Sequence, residues 1–218
     1  MTMGAVQFYA QALRNAGLLS KSGRGPAAAH LTVVDVSNWL LALCVSETAA
    51  TAPEEVTLTR EAAFDPRMSQ ISKAVTRGLK AASAMTAGDA IESLIWDMID
   101  GRFKQWQDHM FPAPPQNSES WHAAIFRPTV MVEFVVGGQA VLLHFSQPTA
   151  TGRIRSSSMH FARVDSMFKI RMRTVTDVGS PSSTSSLTRI NRVWPRVFER
   201  VADALRQSEE DAIASLAP

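Results

Sequence analysis

The stretch from Val130 to Phe145 constrains the fold of this chain more than any other. Val130-Met131-Val132-Glu133-Phe134-Val135-Val136 and Gln139-Ala140-Val141-Leu142-Leu143-His144-Phe145 flank Gly137-Gly138. Two glycines reach the positive φ angles that tight hairpin turns need, so the two runs are expected to pair antiparallel. In that register Phe134 opposes Val141, Val132 opposes Leu143 and Val130 opposes Phe145, which makes one continuous apolar face. Met131, Glu133, Val135, Ala140, Leu142 and His144 take the other face, which is only partly polar and so a candidate for cover by another element.

Further along, Met167–Val175 alternates strictly. Phe168, Ile170 and Met172 point one way and Lys169, Arg171 and Arg173 the other, as in a half-buried strand with a cationic outer row. Gly179–Ser186 is mostly serine and reads as a loop. From about Leu187 to Leu205 the spacing predicts a last helix, with Ile190, Val193, Val197, Val201 and Leu205 on its apolar stripe. Pro195 should kink that helix or mark its true first turn.

The first half is helical in pattern. Val6–Ala16 forms one segment that Gly17 ends, and Ser20–Pro26 is a polar, glycine-rich loop. Thr32 caps a second helix running through Leu43, with Asp35 completing the capping pair. Ser46–Glu61 is weakly patterned and reads as a connection. Asp65-Pro66 opens a helix whose apolar face is Ile71, Ala74, Val75 and Leu79. Thr86 and Asp89 open the longest one, in which Ile91, Leu94, Ile95, Met98 and Trp106 recur. Pro112–Ser118 then separates a helical region, 1–111, from a second region, 120–218. The expected class is α+β: a helical N-terminal half, then a small antiparallel sheet packed by a C-terminal helix.

Composition removes several classes. With 45% hydrophobic and 19% charged residues over 218 positions, the chain is neither disordered nor collagen-like nor a disulfide scaffold. Its one cysteine, Cys44, lies among aliphatics and reads as a small core hydrophobe, which suits a reducing, cytoplasmic setting. No window holds 18 uninterrupted apolar residues, so no membrane span is expected, nor a secretory signal at Met1–Gln7. The five histidines lack metal-ligand spacing, and neither a phosphate-binding glycine loop nor a nucleophile elbow is present. No cofactor, metal or catalytic activity is therefore expected. Glu133 and His144 lie diagonally on one hairpin face, one element of a general-base site, though a surface polar pair is the plainer reading. Asp97 and Asp100 read as a solvated helix face.

Ala12-Leu13-Arg14-Asn15-Ala16-Gly17-Leu18-Leu19, a loop bearing Lys21 and Arg24, and then His30-Leu31-Thr32-Val33-Val34-Asp35-Val36 form helix, short basic loop, helix. This stretch of about 40 residues resembles the recognition helix, wing and following helix of MerR-type winged-helix regulators. It also looks like a segment found in phage and prophage proteins of proteobacteria. The resemblance implies DNA contact by Arg14, Lys21 and Arg24. The helix that precedes the recognition helix in that family has no counterpart in the residues before Val6, so a helical packing or oligomerisation module stands beside the DNA reading.

The net charge of +2 conceals an uneven distribution. Residues 61–124 are acidic on balance, whereas Arg153–Arg206 holds eleven basic residues and four acidic ones. Arg189, Arg192, Arg196 and Arg200 fall within one stripe of the expected last helix, and Lys169, Arg171 and Arg173 form a second row. Such rows neutralise phosphates without reading sequence. The bland reading is a solvated face, with Glu199 and Asp203 pairing Arg196 and Arg200. Phe168 and Trp194 are placed in the core. The sequence thus points to a non-enzymatic nucleic-acid-binding protein, such as a phage-associated DNA-binding regulator of transcription or packaging accessory. The alternative is an oligomeric or protein-interaction module with no nucleic-acid binding.

Overall fold

The structure is a computed structural model that describes residues 3–20, 31–110, 128–135, 140–148, 154–163 and 190–216. The chain is α+β. Helices α1 (Met3–Asn15), α2 (Val33–Val45) and α3 (Ala52–Arg60) come first, followed by a two-residue strand β1 (Ala63–Phe64). Then come α4 (Lys73–Gly78), a 3-10 turn (Lys80–Ser83), α5 (Ala87–Ile99) and α6 (Arg102–Met110). Strands β2 (Thr129–Val135), β3 (Ala140–Pro148), β4 (Ile154–Ala162) and β5 (Ile190–Val193) precede helix α7 (Pro195–Leu216).

The strands form one antiparallel sheet in the order β1-β4-β3-β2-β5. The β2–β3 register is the one the alternation dictates: Phe134 opposes Val141, Val132 opposes Leu143 and Val130 opposes Phe145. Those six side chains are fully buried and continue into Met159 and Phe161 of β4 and Val193 of β5. Ile91, Leu94 and Ile95 of α5 belong to the same core, which also receives Phe198 and Ala202 of α7. Trp106 of α6 meets Phe145 edge-on at 6.4 Å between ring centroids. The central turn, Gly137-Gly138, and the cationic run Met167–Val175 lie outside the described residues.

Local signals explain several helix ends. Gly17 has φ +73°, and its amide donates to the Arg14 carbonyl while the Leu18 amide donates to Leu13, which closes α1 as a Schellman motif. Thr32 and Asp35 form the capping box of α2. Cys44 is buried, and that burial pushes its thiol pKa up to about 12.

Five expectations are corrected. Ser46–Glu61 contains a helix, α3, with Pro53 in its first turn, Glu54 and Glu55 beside it and Arg60 at the far end, the polarity its dipole favours. Asp65-Pro66 opens no helix, because the chain there runs beside β4: the Asp65 amide donates to the His160 carbonyl and Gln70 bridges Ser158. A helix starts only at Lys73. The long helix expected from Thr86 to Trp106 is two, since Gly101 takes φ +72° between α5 and α6. Asp97 is not solvated. It is fully buried and accepts the amides of Lys80 (3.1 Å) and Ala81 (3.0 Å), so that it holds the start of the 3-10 turn. Finally, Ile190–Val193 is an edge strand on β2, and Pro195 is the first residue of α7. The buried stripe of that helix is Phe198 and Ala202, whereas Val197 is exposed.

Candidate nucleic-acid interface

Strand β5 delivers its residues alternately to the two sheet faces. Val193 packs inward, Asn191 donates to the Cys44 carbonyl at 2.5 Å, and Arg192 stands on the outer face. Pro195 then starts α7 without wasting an amide, and the carbonyl of Trp194 accepts the Val197 amide at 3.0 Å. This turn from strand to helix projects Trp194, which is 57% exposed. That corrects the expectation of a core tryptophan. The residues that turn inward here are Val193 before it and Phe198 after it.

The arginine stripe expected from Arg189 to Arg200 is also redistributed. Arg192 belongs to the strand and only Arg196 and Arg200 to the helix, where they are one turn apart and exposed. Arg192 Nε donates to Glu133 Oε1 at 2.7 Å, across the β5–β2 pairing. Arg196 and Arg200 have no ion-pair partner among the described residues: Asp203 pairs with Arg206, and Glu199, exposed on the same helix, forms no ion pair. Two unpaired arginines in the first turns of α7 oppose the helix dipole, which favours anions there.

Glu133 is the electrostatic centre of the outer sheet face. Its second oxygen lies 3.2 Å from His144 Nε2, the diagonal contact that the register brings about. Burial raises its pKa, but the bonds from Arg192 and His144 outweigh that and hold the carboxyl below the usual range. Glu133 is therefore an ion-pair anion that steadies Arg192. Two strands away on the same face, beyond Leu142, His160 is held below the ordinary histidine value by burial and then by His144, against the pull of Asp65. At the end of the face, Val135, Ala140 and Ala162 form a small buried apolar cluster.

The other expected contacts are not gathered here. Arg14 is exposed in the last turn of α1, which packs on α2 and α3, whereas α7 packs on α5 and β2. Lys21, Arg24, Lys169, Arg171, Arg173 and Arg189 lie outside the described residues. Asp35 accepts the Ser20 amide at 2.6 Å and the Thr32 amide at 2.9 Å, which ties the residues after α1 to the start of α2. Among the described residues there is no group of three or more His, Cys, Asp or Glu side chains placed to hold a metal, and no helix long and apolar enough to cross a membrane. No protein-family model, curated protein or solved structure matches the chain.

Proposed function

We propose that this protein binds nucleic acid without catalysing a reaction, through the junction of β5 and α7. One observation carries the reading: a largely exposed tryptophan, Trp194, flanked by Arg192 and Arg196, with Arg196 and Arg200 lacking acidic partners among the described residues. An indole face stacks on any base, and adjacent guanidinium groups take the phosphates, so the junction favours a single-stranded or locally opened strand. Arg192, fixed by Glu133, sets the edge of the site, and Arg14, Lys21, Arg24, Lys169, Arg171, Arg173 and Arg189 are the cations proposed to extend it. A regulatory or packaging role associated with a phage, and the winged-helix character of the N-terminal stretch, remain part of this proposal. The test is fluorescence anisotropy of a labelled oligothymidine and of a duplex of equal length at two salt concentrations. Binding of the single strand that weakens with salt supports the reading, and absence of binding even at low salt ends it.

A second reading, a module that binds protein or its own copies, is favoured by apolar side chains left in solvent on α1 and about the start of α2. Phe8 is 72% exposed, Leu31 62% and Val34 45%. Sedimentation of the free protein decides its self-associating form: a single monomeric species removes it.

A further inference from the structure

A second cationic feature lies within residues 61–124, the stretch that is acidic on balance. Helices α4 and α6 bound an open groove of about 500 Å³, within the size range of small-molecule sites. Lys73 and Arg77 enter it from α4; Arg102, Gln105, Trp106 and His109 enter it from α6. The spacing explains the convergence. Positions 102, 105, 106 and 109 follow the i, i+3, i+4, i+7 pattern of one helix face, and 73 and 77 are one turn apart. No acidic side chain lines the groove among the described residues.

Its cations are largely uncommitted. Arg102 touches Asp100 only through Nε, at 3.4 Å, and Asp100 is shared with Lys80 at 3.1 Å. Lys73, Arg77 and His109 form no ion pair among the described residues. Lys73 and Arg77 repel each other at i, i+4, a cost that a bound anion relieves.

The floor is closely packed. Trp106 is 3% exposed, and its Nε1 is buried with no hydrogen-bond acceptor among the described residues. A buried indole N–H normally has a partner. The pyrrole edge that carries it lies against Gly78, another wall of the groove: a Cβ there would sit 2.5 Å from Trp106 Cδ1. Only glycine lets α4 and α6 approach this closely over the indole.

We infer that the α4–α6 groove binds a phosphate-bearing small molecule. Lys73, Arg77, Arg102 and His109 hold the anionic group above the Trp106 floor. The site is separate from the β5–α7 junction and does not depend on the function proposed there.

The test is calorimetric titration of the full-length protein with inorganic pyrophosphate at about 50 mM salt, where exposed charges are weakly screened. Pyrophosphate is expected to bind. The double variant Lys73→Gln/Arg77→Gln and, separately, Arg102→Gln should weaken it at least about tenfold, while Arg196→Gln/Arg200→Gln should leave it within about twofold. Using variants on two helices keeps the test decisive if one of them disturbs folding. No binding, or wild-type affinity in both groove variants, overturns the inference. So does a single-stranded oligonucleotide that displaces pyrophosphate from wild type and loses affinity in the groove variants, since the groove is then part of a nucleic-acid surface.

Discussion

Two buried aspartates should respond to pH in opposite directions, and the structure gives both signs. Asp97 is fully buried and accepts two backbone amides, from Lys80 and Ala81. Burial outweighs those bonds and raises its pKa. Asp35 is 3% exposed, and its amide and hydroxyl bonds from Thr32 and Ser20 outweigh burial, so its pKa is lowered. Replacing Asp97 by Asn keeps one acceptor and turns an NH2 group toward an amide donor. One of the two amides, Lys80 or Ala81, then loses its acceptor, a loss worth about 1–3 kcal/mol. Asp35→Asn strands one of its donors in the same way and should cost about 1.5–3 kcal/mol, because the bonds it removes are to a charged group. The folded pKa of Asp97 lies above its unfolded value. Its contribution to stability is therefore fully present below the unfolded value and declines as pH rises through the folded one. The cost of Asp97→Asn should grow as pH is lowered from 7 toward about 4. For Asp35 the folded pKa lies below the unfolded one, so its contribution is present above the unfolded value and is lost as pH falls through the folded one. The cost of Asp35→Asn should shrink once pH falls below about 4. Urea unfolding of both variants and the wild type at several pH values measures this. Parallel pH dependences, or a cost under about 0.5 kcal/mol for Asp97→Asn at pH 7, would refute the buried-cap assignment.

Glu133→Gln should loosen the outer face by about 1 kcal/mol near neutral pH. Its lowered pKa makes that cost fade as pH falls through the folded value, as urea unfolding will show. Cys44 should resist a thiol reagent in the folded protein and react at once in denaturant, because its thiol is buried and pushed up to about 12. Phe198→Ala should cost about 3–5 kcal/mol, since this fully buried ring anchors α7, and thermal unfolding by circular dichroism reads the loss.

The features legible in the sequence are those made by neighbours along the chain. The two apolar runs flanking Gly137-Gly138 give the β2–β3 register and the Glu133–His144 contact, and Thr32 with Asp35 gives the start of α2. What escaped depends on partners distant in the chain. Val193, Val197 and Val201 are spaced like a helix stripe, yet Val193 pairs with Val132, about sixty positions earlier. Helical spacing across Pro195 thus hid a strand, and with it the exposure of Trp194. Proline at a helix start was the one local clue to that break. Asp97 reads as surface until the turn it caps, at Lys80 and Ala81, is folded back on it. The α4–α6 groove is invisible for the same reason, because its cations come from two segments that are unremarkable in isolation.

The central claim rests on Trp194 and the two arginines beside it. The most direct measurement compares wild type, Trp194→Ala and Arg196→Gln/Arg200→Gln for binding to a labelled oligothymidine across a salt series. Trp194→Ala should cost about 1–3 kcal/mol, a roughly 5- to 150-fold loss, with the salt slope unchanged. The arginine pair should instead lower the slope of log affinity against log salt by about 1.4, at about 0.7 for each phosphate no longer neutralised. Wild-type affinity and slope in both variants would contradict the account.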